Sequence, residues 1–176
     1  ESFRMNEETA KNNHYQQSIL NLSADEVKNR ACREFDALKD VLTHHGVQVL
    51  VWEELEGLDT PDCLFPNNWF STHEQGIFVL YPMFAHNRRM ERREDIAVDL
   101  EHLHGFQIND IIDFTEFEEH SKFLEGTGSM VLDRTNGKSY AALSERTDRG
   151  ALAHYCSAMD VEGVAFHAYQ TMEGHR

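Results

Sequence analysis

The chain has 176 residues, enough for one domain with a hydrophobic core, and carries a formal net charge of −15. This acidity argues against nucleic acid or an anionic membrane surface as a partner, because both would repel the chain. Three cysteines, a low and odd number, favour a reducing, cytoplasmic location without disulfides, and no apolar run approaches the ~20 residues of a membrane span.

The first regular element in chain order is a helix that begins after Ser23 and ends at Gly46. Ser23 and Glu26 have the spacing of a capping box, and Gly46 suits a left-handed C-cap. An apolar face is predicted from residues at helical spacing: Val27, Ala31, Phe35, Leu38 and Leu42. The mostly apolar run Val47–Trp52 then predicts a strand covered on both faces, before a loop over residues 53–68.

The rest of the chain predicts the same unit twice, two strands followed by a helix and a third strand. The first unit comprises the hairpin Phe70–His73 and Gly76–Tyr81, a helix ending at Gly105 and the strand Gln107–Phe114. The second comprises the hairpin Met130–Asp133 and Ser139–Leu143, the helix Asp148–Met159 and the strand Val161–Tyr169. A short helical stretch is predicted between the units, over 114–123. Repeated units suggest a radial architecture that this chain cannot close alone, so we expect it to form part of something larger.

A hairpin organises the second unit and brings two charged residues to one sheet edge. Asn136-Gly137 predicts a two-residue type I′ turn, in which both residues have positive φ. Glu125 precedes the hairpin on a glycine turn, and Arg146 follows it, so the two should emerge close together. A carboxylate beside a guanidinium suits a ligand with one positive and one negative group. A structural ion pair would produce the same pattern, and this alternative remains open.

The sequence predicts no metal site and no cofactor. His73-Glu74 starts a zincin motif but has no histidine three residues after Glu74, and the glycine-poor stretch before Lys138 does not make a phosphate loop. Cys32 and Cys156 lie on apolar helical faces and are interpreted as core residues, whereas Cys63 lies in the loop over 53–68 without a neighbouring base.

Several ordered motifs resemble the guanidino-group-modifying superfamily, which includes the dimethylarginine dimethylaminohydrolases, arginine deiminases and amidinotransferases. The greatest resemblance is to its citrulline-utilisation hydrolase branch. The resemblance covers nearly the whole chain, and its motifs lie at residues 65–69 (FPNNW), 80–83 (LYPM), 88–92 (RRMER), 124–130 (LEGTGSM) and 143–147 (LSERT). The resemblance implies an α/β fold, a five-bladed propeller of ββαβ modules (the pentein fold). Residues 1–176 would then form a single, incomplete domain of about 2.5 to 3 modules, the N-terminal portion of the protein.

The resemblance also implies a cysteine nucleophile, a histidine general acid and base, and a set of residues that hold an amino-acid substrate. Glu125 corresponds to the catalytic carboxylate that orients the histidine and the substrate nitrogens. Asp62 and Asn68 correspond to substrate-binding positions. Arg146, together with Arg89 or its neighbour Arg88, corresponds to the arginines that receive the substrate α-carboxylate.

Two departures from the family pattern affect the predicted substrate. Asn68 stands where the arginine enzymes carry Asp, and Thr127-Gly128 replaces Gly-Asp after the Glu125-Gly126 turn. An amide both donates and accepts hydrogen bonds, so a neutral ureido group becomes as acceptable as a guanidinium. Both changes favour citrulline-like substrates.

No cysteine of this chain matches the position of the nucleophile, and His167 is interpreted as structural. We therefore expect a cysteine-dependent hydrolase acting on a guanidino or ureido C–N bond, whose remaining residues lie in a C-terminal segment of the same protein. The alternatives are a non-catalytic amino-acid-binding module and an interaction fragment that lacks the nucleophile.

Overall fold

A computed structural model describes residues 3–10 and 23–169 of the chain. It divides into two compact units, Glu1–Leu64 and Phe65–Arg176. Among the described residues, no helix is long and apolar enough to cross a membrane.

The first unit contains helix α1 (Glu7–Ala10) and helix α2 (Ala24–His44). The predicted start and end of α2 are confirmed, because Ser23 and Glu26 form a capping box and Gly46 has a φ of +80°. Its apolar face differs from the prediction: no residue of α2 is buried, and Leu38 is 59% exposed. Cys32 is exposed as well, so its interpretation as a core residue was wrong.

The predicted strand Val47–Trp52 is not present. These residues have no ladder of hydrogen bonds to a neighbouring strand, and Val47 and Val51 are exposed. An extended apolar segment becomes a strand only when another strand pairs with its backbone, and the described part of the chain provides none for this segment.

The second unit contains two three-stranded sheets of identical plan. In the first, the sheet order is β1 (Phe70–Thr72), β2 (Ile77–Leu80) and β3 (Asp110–Asp113), with α3 (His86–Arg89) and α4 (Glu94–His102) between β2 and β3. Strand β1 pairs antiparallel with β2, and β2 pairs parallel with β3, with Phe78 opposite Ile111. A 3-10 turn (Thr115–His120) follows β3, as the short helical prediction for 114–123 required.

The second sheet repeats this connectivity after the short helix α5 (Gly126–Ser129). Its order is β4 (Met130–Asp133), β5 (Lys138–Ala142) and β6 (Glu162–Phe166), with α6 (Arg149–Ala158) between β5 and β6. Strand β4 pairs antiparallel with β5, and β5 pairs parallel with β6, with Tyr140 opposite Val164. The two ββαβ units predicted from the sequence are therefore confirmed, with shorter strands, and the fold is mixed α/β.

The turn between β4 and β5 is not the predicted two-residue type I′ turn. Four residues, 134–137, separate Asp133 from its partner Lys138, and of Asn136 and Gly137 only Gly137 has a positive φ, +62°. The Asp133 carboxylate explains the difference, since it accepts hydrogen bonds from the Asn136 backbone N–H (3.1 Å) and from Asn136 Nδ2 (2.7 Å). This local capping stabilises a longer turn in which Asn136 keeps a negative φ.

One apolar cluster joins the two sheets and the last helix. It is formed by Val79, Tyr81, Phe114, Phe117, Leu124, Met130, Ala141, Ala151, Leu152, Tyr155 and Cys156. Cys156 is buried there, so its interpretation as a core residue is confirmed. The cluster fixes the ends of β2 and β5 relative to Leu124, which is fully buried directly before Glu125.

Candidate active site around Glu125

Two of the predicted site residues of the second unit, Asn68 and Arg146, contact a third, Glu125. This residue follows Leu124 and precedes the short helix α5, and its side chain is fully buried, at 0% exposure. Its backbone N–H donates to Ser129 Oγ at 2.9 Å, and that hydroxyl donates to the Arg146 carbonyl at 2.8 Å. The glycine turn therefore ties the backbones of Glu125 and Arg146 together through one serine.

The Glu125 carboxylate accepts four hydrogen bonds. Oε1 accepts from the Phe84 backbone N–H at 2.9 Å. Oε2 accepts from Asn68 Nδ2 at 3.2 Å, from Arg146 Nε at 2.8 Å and from Arg146 Nη2. The expected proximity of Glu125 and Arg146 is confirmed, and Asn68 joins them. A fully buried carboxylate needs such compensation, because removing it from water without partners would cost several kcal/mol.

Asn68 reaches Glu125 because two glycines let its turn approach closely. The 3-10 turn Pro66–Asn68 lies against α5, and a Cβ at Gly126 would stand 2.4 Å from the Asn67 carbonyl oxygen. A Cβ at Gly128 would stand 2.3 Å from Asn68 Nδ2. Gly126 also has a φ of +43°. Both glycines are thus required by the site, a role that the sequence did not reveal.

Arg88 and Arg89 occupy different environments. The Arg88 side chain is only 3% exposed and is engaged with Glu91, by Nε to Oε1 at 3.0 Å and by Nη2 to Oε2 at 2.9 Å. Its Nη2 also donates to the Phe65 carbonyl at 3.0 Å. The Arg89 side chain is 27% exposed and donates from Nε to the Met83 carbonyl at 3.0 Å, with its guanidinium over the Phe123 ring. The two candidate arginines therefore differ in accessibility: the Arg88 side chain is buried in an ion pair with Glu91, whereas the Arg89 side chain is partly exposed.

The loop after β2 is held by Glu118, a residue that sequence reasoning missed. Glu118 Oε1 accepts from the Met83 N–H at 2.7 Å and from Arg92 Nη2, and the next N–H, that of Phe84, donates to Glu125. Arg92 also donates to the Tyr81 carbonyl at 3.4 Å. Two carboxylates therefore fix consecutive peptide groups beside the site. Position 118 showed no signal beyond membership of an acidic stretch.

Asp62 belongs to the first unit. Its Oδ2 accepts from Asn6 Nδ2 at 2.8 Å and from Thr9 Oγ1 at 3.3 Å, and all three residues are buried. These bonds attach the loop around Asp62 to α1.

A second polar group runs along β1, from Tyr81 directly after β2 through Ser71 to His73 directly after β1. Tyr81 OH and Ser71 Oγ are 2.7 Å apart, and Ser71 Oγ lies 2.9 Å from His73 Nε2. Burial raises the pKa of Tyr81, whereas burial and then the nearby Arg134 charge lower the pKa of His73 to about 4. His73 and Arg134 line a cavity of 760 Å³ that contains none of the predicted site residues. Within the described ranges, no group of three or more His, Cys, Asp or Glu could hold a metal ion.

The chain was compared with protein families, curated proteins and solved structures. A family model described as N,N dimethylarginine dimethylhydrolase, eukaryotic, matches residues 1–175. No curated protein matches the chain.

Three solved structures illustrate the shared fold. The N-terminal domain of ArgZ, an arginine dihydrolase from the ornithine-ammonia cycle in cyanobacteria, was crystallised as a variant bound to substrate; it has 17% identity and a TM-score of 0.64, covering 85% of this chain and 51% of that one. AgrE with ornithine and NAD+ has 19% identity and a TM-score of 0.63, covering 85% and 20%. A variant dimethylarginine dimethylaminohydrolase, an adduct with S-methyl-L-thiocitrulline, has 13% identity and a TM-score of 0.60, covering 83% and 53%. The chain thus spans about half the length of the first and third structures.

Proposed function

Because this chain belongs to the eukaryotic N,N-dimethylarginine dimethylhydrolase family, within the pentein superfamily of guanidino-modifying hydrolases, we propose that it is part of a cysteine-dependent hydrolase. The substrate is an arginine- or citrulline-like amino acid, cleaved at a C–N bond of its guanidino or ureido group. A thiolate attacks the central carbon, and the departing nitrogen takes a proton as its C–N bond breaks. Water then hydrolyses the carbon–sulfur bond and restores the thiol. No residue of this chain is assigned as the nucleophile or as the histidine.

The observation that carries the proposal is the buried Glu125 carboxylate with Asn68 and Arg146 on one oxygen. A buried carboxylate binds the N–H groups of a planar substrate, and an adjacent arginine fork binds its α-carboxylate. Glu125 is accordingly the acidic partner of the catalytic histidine and of the substrate nitrogens. Asn68 can bind either a guanidinium or a ureido group, because its side-chain amide both donates and accepts hydrogen bonds.

Three other residues were predicted to bind the substrate, and the structure gives different support to each: Asp62, Arg88 and Arg89. Arg89 is the preferred second arginine for the α-carboxylate, since its side chain is partly exposed whereas that of Arg88 is buried against Glu91. Asp62 remains a proposed substrate-binding residue on the basis of the resemblance.

The architecture and location of the whole protein are part of the same proposal. The two ββαβ units of this chain would belong to a five-bladed propeller, of which residues 1–176 form an incomplete domain, and further segments would supply the remaining blades. The low cysteine count supports a cytoplasmic location.

A non-catalytic amino-acid-binding module is the second candidate function. One observation favours it: among the described residues, no cysteine or histidine donates a hydrogen bond to Glu125, whose donors are Phe84, Asn68 and Arg146. Such a module would bind citrulline or arginine without releasing product.

The test measures binding and product release for L-citrulline, L-arginine and agmatine, which lacks the carboxylate, with the original protein and with Arg146→Lys. Lysine keeps the charge but loses the planar fork. We expect a raised KM, or a raised Kd without turnover, for the two amino acids and a smaller change for agmatine. An equal effect on all three would refute the role of Arg146, and binding without product would favour the binding module. The intact mass of the purified protein shows whether a second polypeptide accompanies the chain.

A further inference from the structure

The hydrogen-bonding capacity of one oxygen of the Glu125 carboxylate, Oε2, is fully used. A carboxylate oxygen offers about two lone-pair positions, and Oε2 accepts three hydrogen bonds, from Asn68 Nδ2, Arg146 Nε and Arg146 Nη2, whereas Oε1 accepts one, from the Phe84 N–H. The side chain is only 1% exposed, which leaves almost no surface from which a further donor could approach. A ligand that binds Glu125 Oε2 must therefore replace one of the existing donors.

Two of the three donor residues are held in place. The Phe84 N–H belongs to the loop whose preceding N–H is bound by Glu118 and whose Met83 carbonyl accepts from Arg89. Asn68 is buried in a turn that lies against Gly126 and Gly128. Neither can withdraw without displacing the backbone around it.

Arg146 is the donor that can leave. Its side chain is 22% exposed, and its recorded side-chain hydrogen bonds, from Nε and Nη2, both end on Glu125 Oε2. The backbone of Arg146 remains anchored by Ser129 Oγ and Ser144 Oγ when the side chain turns. The departing group is a guanidinium, the same planar cation that an arginine-like ligand carries.

We propose that Arg146 occupies a guanidinium-binding site on Glu125 that an external guanidinium group takes by displacing it. This inference rests on the proposed function and deepens it. A bound arginine-like ligand places its guanidinium on Glu125, and the displaced Arg146 becomes available for the ligand's carboxylate. During this exchange one guanidinium replaces another, so the negative charge of Glu125 stays compensated. A neutral ureido group would leave that charge uncompensated, and the exchange therefore selects guanidino ligands. Without ligand, Arg146 keeps the site closed.

The experiment removes the internal competitor and supplies an external one. Arg146→Ala is titrated with methylguanidinium chloride, and binding is followed by the 15N-HSQC resonance of the Phe84 amide, which donates to Glu125, and by the thermal midpoint. An intramolecular group competes at an effective concentration in the millimolar range, so we expect Arg146→Ala to bind methylguanidinium at least about tenfold more tightly than the original chain. Sodium chloride at equal ionic strength and urea at equal concentration are the controls, and neither should reproduce the shift.

Two further variants keep the outcome interpretable. Arg146→Lys, which retains a cation and is the safer variant for folding, should bind methylguanidinium with intermediate affinity. Arg146→Ala combined with Glu125→Gln should lose the gain. Equal affinity in Arg146→Ala and the original chain, an equal response to urea, or a gain that survives Glu125→Gln would overturn the proposal. If methylguanidinium binds as expected but the unaltered protein neither binds nor converts the amino acids, the proposed function fails while this inference stands.

Discussion

Arg146 Nε donates to Glu125 Oε2 at 2.8 Å across 21 residues of sequence, and the carboxylate that receives it is completely buried. Burial weakens the screening that would otherwise reduce such an ion pair at the surface to less than about 1 kcal/mol. The contact links α5 to the segment after β5, so it serves the packing of the unit as well as the proposed chemistry. Glu125 and Arg146 therefore have a structural role in addition to the chemical role proposed for them.

We expect Glu125→Gln to lower the free energy of unfolding by about 2–3 kcal/mol, since a buried acceptor of charge-assisted hydrogen bonds is lost. The glutamine amide also turns an NH2 group toward the Asn68 and Arg146 donors. Urea denaturation measures the change. Glu116→Gln, an exposed position in the 3-10 turn before the site, is the matched control and should change stability by less than about 0.5 kcal/mol. Similar values for both variants would show that the Glu125 cluster does not stabilise the fold.

The proximity of Glu125 and Arg146 was predictable from the sequence, because the glycine turn and the hairpin between them fix which sheet edge each residue reaches. The participation of Asn68 was predictable only through the resemblance. The role of Glu118 was not predictable at all. It acts by binding the Met83 N–H, and which backbone group an acidic residue meets depends on the packing of a distant loop.

Arg88 is expected to be a structural residue. Replacing it by methionine removes the guanidinium that both Glu91 oxygens contact at about 3 Å in a buried environment, so we predict a loss of about 3–5 kcal/mol in the free energy of unfolding. Arg30→Met removes a comparable pair, Arg30–Glu34, on an exposed helix, and should cost less than about 0.5 kcal/mol.

The double variant Arg88→Met with Glu91→Leu completes this test. It removes both charges and should recover part of the stability lost in Arg88→Met. A ligand-binding role for Arg88 would instead leave stability nearly unchanged in Arg88→Met while abolishing the binding of L-arginine.

Gly126→Ala should be strongly destabilising for two separable reasons. A left-handed φ costs a side chain about 1–2 kcal/mol, and the new Cβ would stand 2.4 Å from the Asn67 carbonyl, which adds about 1–3 kcal/mol of overpacking. Gly105→Ala isolates the first contribution, because Gly105 has a φ of +72° and no atom within 4 Å of its Cβ position. Chemical denaturation of the two variants should give a larger loss for Gly126→Ala, and equal losses would contradict the close approach of the Asn67 turn.

The repeated ββαβ plan could be predicted from the sequence because alternation and glycine spacing are local signals. The strand predicted at Val47–Trp52 and the burial of the apolar face of α2 were wrong for a common reason. An apolar pattern shows which face of a segment would gain from burial. Whether that face is buried depends on a second strand or helix elsewhere in the chain, which the sequence of the segment does not specify. The prediction of a type I′ turn after Asp133 was wrong for another reason, because hydrogen bonds from Asn136 to the Asp133 carboxylate stabilise a different turn geometry.

The last prediction concerns the pH dependence of stability near His73. Burial, followed by the Arg134 charge, lowers the pKa of His73 from 6.5 to about 4 in the folded chain. Between these values the unfolded chain binds a proton that the folded chain does not, so the free energy of unfolding contributed by His73 decreases as the pH falls from about 6.5 to about 4. His73→Gln should flatten the stability profile in this window.

Arg134→Gln separates the two causes of the lowered pKa. Removing the positive charge leaves the burial of His73 in place, so the NMR titration midpoint of the His73 ring should rise only part of the way toward 6.5. Midpoints near 6.5 in the unaltered chain, or a profile for His73→Gln parallel to that of the original chain, would contradict the prediction. A confirmed low midpoint would establish that His73 remains neutral at physiological pH. Its neutral ring would then be hydrogen-bonded to Ser71, whose hydroxyl also contacts that of Tyr81.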